Sequence, residues 1–83
     1  MMQRIFVDFN TMGRNQEGRV LININAEQNM NKTFQPGMRV LLFEGETDVL
    51  EVEGVLELDA QYNCWWARPD WSTRRDYSVE ANG

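Results

Sequence analysis

Apolar and acidic side chains alternate along residues 49–59, VLEVEGVLELD, and this alternation restricts the segment to one kind of structure. A period of two places successive residues on opposite faces of a strand, whereas an amphipathic helix needs a period of 3.6 residues. The segment is therefore predicted to be a long strand with one buried face and one acidic face. Its apolar and acidic members are, respectively, Leu50, Val52, Leu56 and Leu58, and Glu51, Glu53, Glu57 and Asp59.

Gly54 interrupts the apolar series of this segment. A glycine inside a strand lacks a side chain to pack and often marks an irregularity in the ladder. We therefore expect a bulge or a sharp bend at Gly54, as at the corner of a barrel.

Other short segments rich in β-branched and aromatic residues are predicted strands, at residues 4–9, 19–25, 38–44, 64–68 and 77–79. The first two are expected to form a hairpin, with a long irregular loop at 10–18. Pro36 and Gly37 predict a type II turn. One helical turn is expected at 26–30, and a second, short one near 70–75 with Asp70 as its cap.

Five or six short strands without a long helix predict a mainly β protein, built as a small, five- to six-stranded antiparallel barrel. An oligonucleotide-binding-type barrel is the alternative. Residues 1–79 are expected to form a single small β-barrel domain, followed by a frayed C-terminal tail at 80–83.

Residues 36–42, PGMRVLL, followed by residues 52–58, VEGVLEL, resemble the turn and strand pairing of Src-homology-3-like barrels. The resemblance is confined to residues 36–58 and implies an Src-homology-3-like barrel architecture. The acidic and aromatic ligand loop of signalling Src-homology-3 domains is not evident in this sequence. Their peptide specificity is therefore not carried over to any residue of this chain.

Residue counts exclude several kinds of enzyme. The chain has no His and one Cys, so it has neither a Ser-His-Asp triad nor a Cys-His catalytic pair, and no four-cysteine zinc site. We expect a protein that is not an enzyme, with no catalytic residue, no metal and no cofactor. Cys64 is expected to be a small buried hydrophobic residue in the reduced state.

The net charge is −5, and it is divided unevenly between the two halves of the chain. Residues 1–40 carry +2 and residues 41–83 carry −7. A net-acidic domain does not attract a polyanion, so bulk nucleic-acid binding is disfavoured. The longest apolar runs have four residues, far below the length that spans a bilayer, and Asp8 interrupts any signal-peptide core. A cytoplasmic protein without membrane contact is expected.

Tryptophan and arginine concentrate near the end of the chain, and these two residue types dominate binding hot spots. Trp65 and Trp66 are adjacent in a strand, so one must face the core and the other must face outward. The alternative is that both indoles are covered and that the arginines pair with the acidic strand. The residues expected to contact a ligand or partner are Trp66, Arg68, Trp71, Arg74 and Arg75.

The leading hypothesis is a non-catalytic binding or adaptor module that recognises a protein or peptide partner through this aromatic-basic surface. The alternative is a structural subunit or a homo-oligomer that uses an exposed strand to self-associate. A third and less favoured hypothesis is a hydrolase that uses carboxylates of residues 51–59, because a strand face exposed to water needs polar residues in any case.

Overall fold

The computed structural model describes residues 2–11 and 18–79. Within these ranges the strands are β1 (Arg4–Phe6), β2 (Val20–Ile22), β3 (Arg39–Glu44), β4 (Asp48–Asp59), β5 (Cys64–Pro69) and β6 (Arg75–Ser78). Short 3-10 turns lie at Phe9–Thr11, at Glu27–Asn29 (the Asn29 turn) and at Trp71–Thr73 (the Trp71 turn). No helix in the described ranges is long and apolar enough to cross a membrane.

All the described strands belong to a single sheet with the order β1-β3-β4-β5-β2, and β6 pairs with β4. The sheet curls into a half-barrel, which confirms the predicted mainly β fold class. Both predicted helical turns are confirmed, and Gly37 has the positive φ of 82° that a type II turn requires. The predicted tail at 80–83 and residues 12–17 of the predicted loop lie outside the described residues.

Strand β4 is long because one of its edges serves two partners. Its first part pairs with β6, from Asp48 to Glu51, and its second part pairs with β5, from Gly54 to Asp59. The chain between β5 and β6 covers the gap, because the Asp70 N–H donates to the Glu53 carbonyl at 2.7 Å and the Glu53 N–H donates to Thr73 Oγ1 at 2.8 Å. The Trp71 turn therefore keeps the backbone of β4 hydrogen-bonded where no strand lies beside it.

The predicted hairpin between the first two strands is wrong. Strand β1 pairs in parallel with β3, so that Phe6 lies opposite Phe43, and β2 pairs antiparallel with β5, so that Leu21 lies opposite Trp66. Among the strand pairs of the described residues, the prediction of an antiparallel sheet fails for β1–β3 alone. Local periodicity identifies a strand and its two faces, but it does not encode which distant strand lies beside it.

The concave face of the sheet forms the core. Its central members are fully buried or nearly so and come from β1 through β5, with Val7 directly after β1: Ile5, Val7, Val20, Ile22, Val40, Leu42, Leu56 and Ala67. Trp65 packs against this cluster and against Phe34, with ring centroids 5.6 Å apart. Each fully buried aliphatic side chain of this size contributes about 1.5–3 kcal/mol to folding, so the concave face supplies most of the driving force.

Of the two alternatives predicted at Gly54, a bulge or a sharp bend, the bulge is wrong, because the register between β3 and β4 runs from Arg39↔Val55 to Glu44↔Leu50 without an extra residue. The glycine is required for space. A Cβ atom at this position would lie 2.7 Å from Leu42 Cδ1 and 3.0 Å from the carbonyl oxygen of Arg68. Gly54 thus lets β4 pass close to a core leucine and to the backbone of β5.

Strands β1 and β2 lie at opposite ends of the sheet order and do not pair with each other. Asn29, which is 2% exposed, links the two strands through its side-chain amide. Its Oδ1 accepts from the Phe6 N–H at 2.7 Å, and its Nδ2 donates to the carbonyls of Phe6 and Asn23, both at 2.9 Å. One amide therefore takes the place of a neighbouring strand for Phe6 and joins the two ends of the sheet.

The side-chain amide of Gln3, just before β1, makes a similar pair of hydrogen bonds to Thr33, which follows the Asn29 turn. Its Nε2 donates to the Thr33 carbonyl at 2.6 Å, and its Oε1 accepts from the Thr33 N–H at 2.9 Å. Two side-chain amides thus hold the segment around the Asn29 turn along β1.

Replacing Asn29 with Ala is expected to lower the free energy of unfolding by about 2–4 kcal/mol, because the part-buried N–H and carbonyl of Phe6 lose their partner and the carbonyl of Asn23 loses one of its two hydrogen bonds. Urea denaturation measures the change. Asn25→Ala, at an exposed asparagine of the same segment, is the control and should change stability by less than about 0.5 kcal/mol. Equal stability of the two variants would show that the amide does not hold the two ends of the sheet together.

Replacing Gly54 with Ala is expected to cost about 1–3 kcal/mol through overpacking against Leu42 and the β5 backbone. Leu42→Val shortens the side chain that the new Cβ would meet. The double variant Gly54→Ala/Leu42→Val should therefore lose less stability than the sum of the losses in the two single variants. Thermal denaturation of the four proteins of this cycle measures the coupling, and strict additivity would contradict the close-approach explanation.

Candidate functional site

Trp66 and Arg68 lie on the convex face of the sheet. They alternate along β5 with Trp65 and Ala67, which face the core. On this face, Trp66 lies opposite Leu21 of β2 on one side and Glu57 of β4 on the other. The tertiary structure therefore determines that Trp66, and not Trp65, faces outward. Alternation within a single strand shows only that the two residues face opposite ways.

One arginine lies over the indole of Trp66, and it shares a carboxylate with a second arginine. The guanidinium carbon of Arg19 lies 4.7 Å from the ring centroid of Trp66, and Arg19 Nη1 lies 3.3 Å from Glu57 Oε1. Arg68 Nε donates to the other oxygen, Glu57 Oε2, at 2.9 Å. We refer to Arg19, Leu21, Glu57, Trp66 and Arg68 as the Trp66 cluster.

The electrostatics of the cluster favour the charged form of its carboxyl group. The hydrogen bond from Arg68 is the largest cause, and with the weaker contribution of Arg19 it holds the pKa of Glu57 below its usual range, against the opposing effect of burial. Trp66 is half-buried, and its Nε1 is buried without a hydrogen-bond acceptor among the described residues. Leu21 beside it is 39% exposed. The cluster thus presents apolar surface bordered by fixed guanidinium groups.

Trp71, another predicted contact residue, lies in the Trp71 turn and packs on Phe9, with ring centroids 5.3 Å apart. Its side chain is 43% exposed. Asp70 caps this turn as predicted, since its carboxylate accepts from the N–H and the hydroxyl of Ser72. Those hydrogen bonds, followed by the contact with Arg39, lower the pKa of Asp70.

The two adjacent arginines near the C-terminal strand have other partners. Arg74 pairs with Asp76 at 3.0 Å, and Arg75 lies opposite Glu51 with its guanidinium 5.9 Å from the ring of Tyr77. Of the five predicted contact residues, the structure therefore brings Trp66 and Arg68 into one cluster. The contacts of Trp71, Arg74 and Arg75 lie elsewhere on the molecule.

Three of the five acidic side chains of β4 are paired with arginines. Arg4 lies 3.1 Å from Glu51, Arg39 lies 2.8 Å from Glu53, and Arg68 lies 2.9 Å from Glu57. The expectation that Arg74 pairs with this strand is wrong, since its partner is Asp76. Ion pairs between distant strands thus bring basic residues of the first half of the chain against acidic residues of the second half.

Sequence reasoning did not anticipate a second cluster on the convex face, built from Arg4, Phe43, Glu51 and Tyr77. The Tyr77 hydroxyl donates to Glu51 Oε2 at 2.7 Å, and Arg4 Nη2 donates to the same oxygen at 3.1 Å. The guanidinium of Arg4 lies 4.1 Å from the ring centroid of Phe43. The hydrogen bond to Glu51 is the main cause of a raised pKa at Tyr77. Parity places these residues on one face of their strands, but only the register brings them together.

Glu51 is 5% exposed and is thus not part of a solvated face, as the alternation suggested. Cys64 is a free thiol and is half-buried rather than buried. In residues 2–11 and 18–79, no three or more Cys, Asp or Glu side chains are grouped to hold a metal ion.

Comparison with known proteins identifies no family for this arrangement. No model of a protein family matches the chain, and neither a curated protein nor a solved structure matches it significantly. The class of protein is therefore described by the fold alone, a small mainly β half-barrel.

The lowered pKa of Glu57 predicts a pH dependence of stability. The carboxylate stabilises the folded state above the ordinary pKa of glutamate, about 4.3, and this contribution is lost as the pH falls through the lower pKa of the folded state. The stability difference between the wild type and Glu57→Gln should therefore be constant near neutral pH and shrink in acid.

The two arginines should differ in their effect on this pKa. Arg68→Gln is expected to raise the pKa of Glu57 more than Arg19→Gln, because the hydrogen bond from Arg68 is the larger cause. A carbon-detected NMR titration of the Glu57 carboxyl group measures both variants. A larger shift in Arg19→Gln would reverse the assignment.

Proposed function

We propose that the protein is a non-catalytic binding module that recognises an extended segment of a protein or peptide partner along β2. The observation that supports this is the position of β2, which ends the sheet order and has β5 as its one strand neighbour in the described part of the chain. Its central residue Leu21 lies directly opposite Trp66. An unpaired strand edge beside an aromatic and cationic cluster combines backbone hydrogen-bonding groups with side-chain recognition.

In residues 2–11 and 18–79, the second edge of β2 differs from the other strand edges in having neither a charged side chain within the strand nor a side-chain amide bonded along it. Its residues Val20–Ile22 are all apolar. The edge of β1 is occupied by the amides of Asn29 and Gln3, and β6 carries the exposed charges of Arg75 and Asp76. Charged residues and covering groups are the usual means by which proteins prevent strand addition at an edge.

Side chains of a segment paired with β2 would alternate between two environments. On the convex side they would lie next to Leu21 and Arg19, and would extend the row that runs from Leu21 through Trp66 to Glu57. A groove of about 280 Å³ lies between β1 and β2, lined by Phe6, Val7, Asp8, Leu21 and Asn23, and because Leu21 is one of its walls it adjoins this convex row. Its mainly apolar lining favours an extended segment with apolar residues at alternate positions.

Replacing Leu21 with Lys tests this site, since the added charge opposes strand addition while the hydrogen bonds to β5 are kept. Tyr62→Lys is the matched control, because Tyr62 is 71% exposed in the turn after β4 and the substitution adds the same charge. Peptides selected from an unbiased display library on the wild type should shift the amides of residues 19–23 and the Trp66 indole in NMR spectra. Their affinity should fall by about tenfold in Leu21→Lys and stay unchanged in Tyr62→Lys.

If the selected peptides shift resonances elsewhere, or if they bind both variants equally well, the proposal for β2 is wrong. A loss of fold would also be visible in the same spectra, so it would not be mistaken for a loss of binding.

A second copy of the chain is the alternative partner for the same edge. An antiparallel two-fold pairing centred on Leu21 would place Arg19 opposite Asn23 of the other copy, so that no like charges face each other across it. Sedimentation velocity over a concentration series separates the two cases. Self-association that Leu21→Lys abolishes would favour the homo-oligomer, and a monomer at all concentrations would favour a different partner.

A further inference from the structure

A separate groove of about 460 Å³ lies beside the start of β1, and none of its lining residues is acidic: Met2, Gln3, Arg4, Gln28, Lys32 and Phe43. The glutamate of the Asn29 turn, Glu27, is not among them. In a chain with a net charge of −5, a concave surface with two cations and no carboxylate is unusual in its charge.

The cations of this groove keep unused hydrogen-bond donors. Arg4 donates through Nη2 to Glu51 and Tyr77, while its Nε and Nη1 make no hydrogen bond within the described residues. Half-buried Lys32 has no ion pair and no side-chain hydrogen bond in the same part of the chain. Lys32 differs in this from the described arginines other than Arg75, which all have a carboxylate partner, namely Arg4, Arg19, Arg39, Arg68 and Arg74.

The backbone that carries Lys32 is held in place. Its N–H donates to the Asn29 carbonyl at 3.3 Å, and the next residue, Thr33, is bonded in both directions to the Gln3 amide. On the opposite wall, the guanidinium of Arg4 lies 4.1 Å from the ring centroid of Phe43. Groups that are already ordered lose less entropy when a ligand binds.

We propose that this groove binds an acidic segment of a protein or peptide, with a carboxylate between Arg4 and Lys32. Arg4, Glu51 and Lys32 together leave one positive charge, which a carboxylate would neutralise. Guanidinium and ammonium groups form charge-assisted hydrogen bonds with carboxylates. Met2, which is 38% exposed, and Phe43 provide apolar surface for a neighbouring side chain of the same segment. The net negative charge of the whole chain disfavours a nucleic acid as the source of the anion.

This inference does not rest on β2, because β2 contributes no residue to this groove. The peptide acetyl-Leu-Glu-Glu-Leu-amide serves as the probe, and acetyl-Leu-Gln-Gln-Leu-amide as its neutral counterpart. The acidic peptide should shift the side-chain amide of Gln28, the Nε–H of Arg4 and the methyl group of Met2 in NMR spectra. Its binding should weaken as salt is added.

Lys32→Gln and Arg74→Gln form the variant pair, because each removes one positive charge and Arg74 lies outside the groove in an ion pair with Asp76. The affinity for the acidic peptide should fall by about fivefold in Lys32→Gln and should not change in Arg74→Gln. Leu21→Lys should bind this peptide as the wild type does, so that failure at β2 and failure at this groove are distinguishable.

Three results would overturn the proposal. Equal binding of the neutral peptide would remove the role of the carboxylate, and an equal loss in the two charge variants would show a non-specific effect of net charge. Displacement of the peptide by inorganic phosphate, with the same resonance shifts for phosphate alone, would assign the groove to a simple anion.

Discussion

The architecture depends on the side-chain amide of Asn29. One buried residue satisfies both backbone groups of Phe6, which would otherwise lie unpaired where the curled sheet fails to close, and it adds a second hydrogen bond to the carbonyl of Asn23. Because this amide and that of Gln3 occupy the edge of β1, the chain between β2 and β3 lies along β1 in the position of a further strand. The same arrangement leaves β2 as a short apolar edge and fixes the backbone at Lys32, so both proposed binding surfaces follow from it.

On the convex face, arginines from four different parts of the chain hold the carboxylates of β4. Arg4, Arg39 and Arg68 each pair with one of them, and Arg19 joins Arg68 on Glu57. Exposed pairs of this kind contribute little stability individually. Their consequence for function is larger, because pairing of Glu51, Glu53 and Glu57 within the molecule reduces the acidic surface that β4 presents to a basic partner. Two surfaces of the described residues combine features that suit a partner, an apolar edge beside Trp66 and a groove with unused cationic donors.

The accuracy of the sequence predictions followed the distance over which each physical signal acts. Alternation located β4, and the residue types around Asp70 located the Trp71 turn and its cap. Gly54 was recognised as special, but the predicted bulge is absent. The glycine is needed because a Cβ at this position would clash with Leu42 and with the backbone of Arg68. In the candidate site, parity correctly placed Trp66 with Arg68, but the residue that lies over the indole is Arg19, which belongs to a strand segment far away in the chain.

By itself, the sequence determined the strands, their two faces and the turns, because backbone geometry converts a local pattern of residues directly into a direction for each side chain. The tertiary structure alone decided which strands are neighbours: β1 beside β3, β2 beside β5, and no strand beside the second edge of β2 in the described part of the chain. It also decided which arginine meets which carboxylate. These choices depend on the competition among all possible long-range pairings for burial and for hydrogen-bond partners, and a local period of two is compatible with many of them.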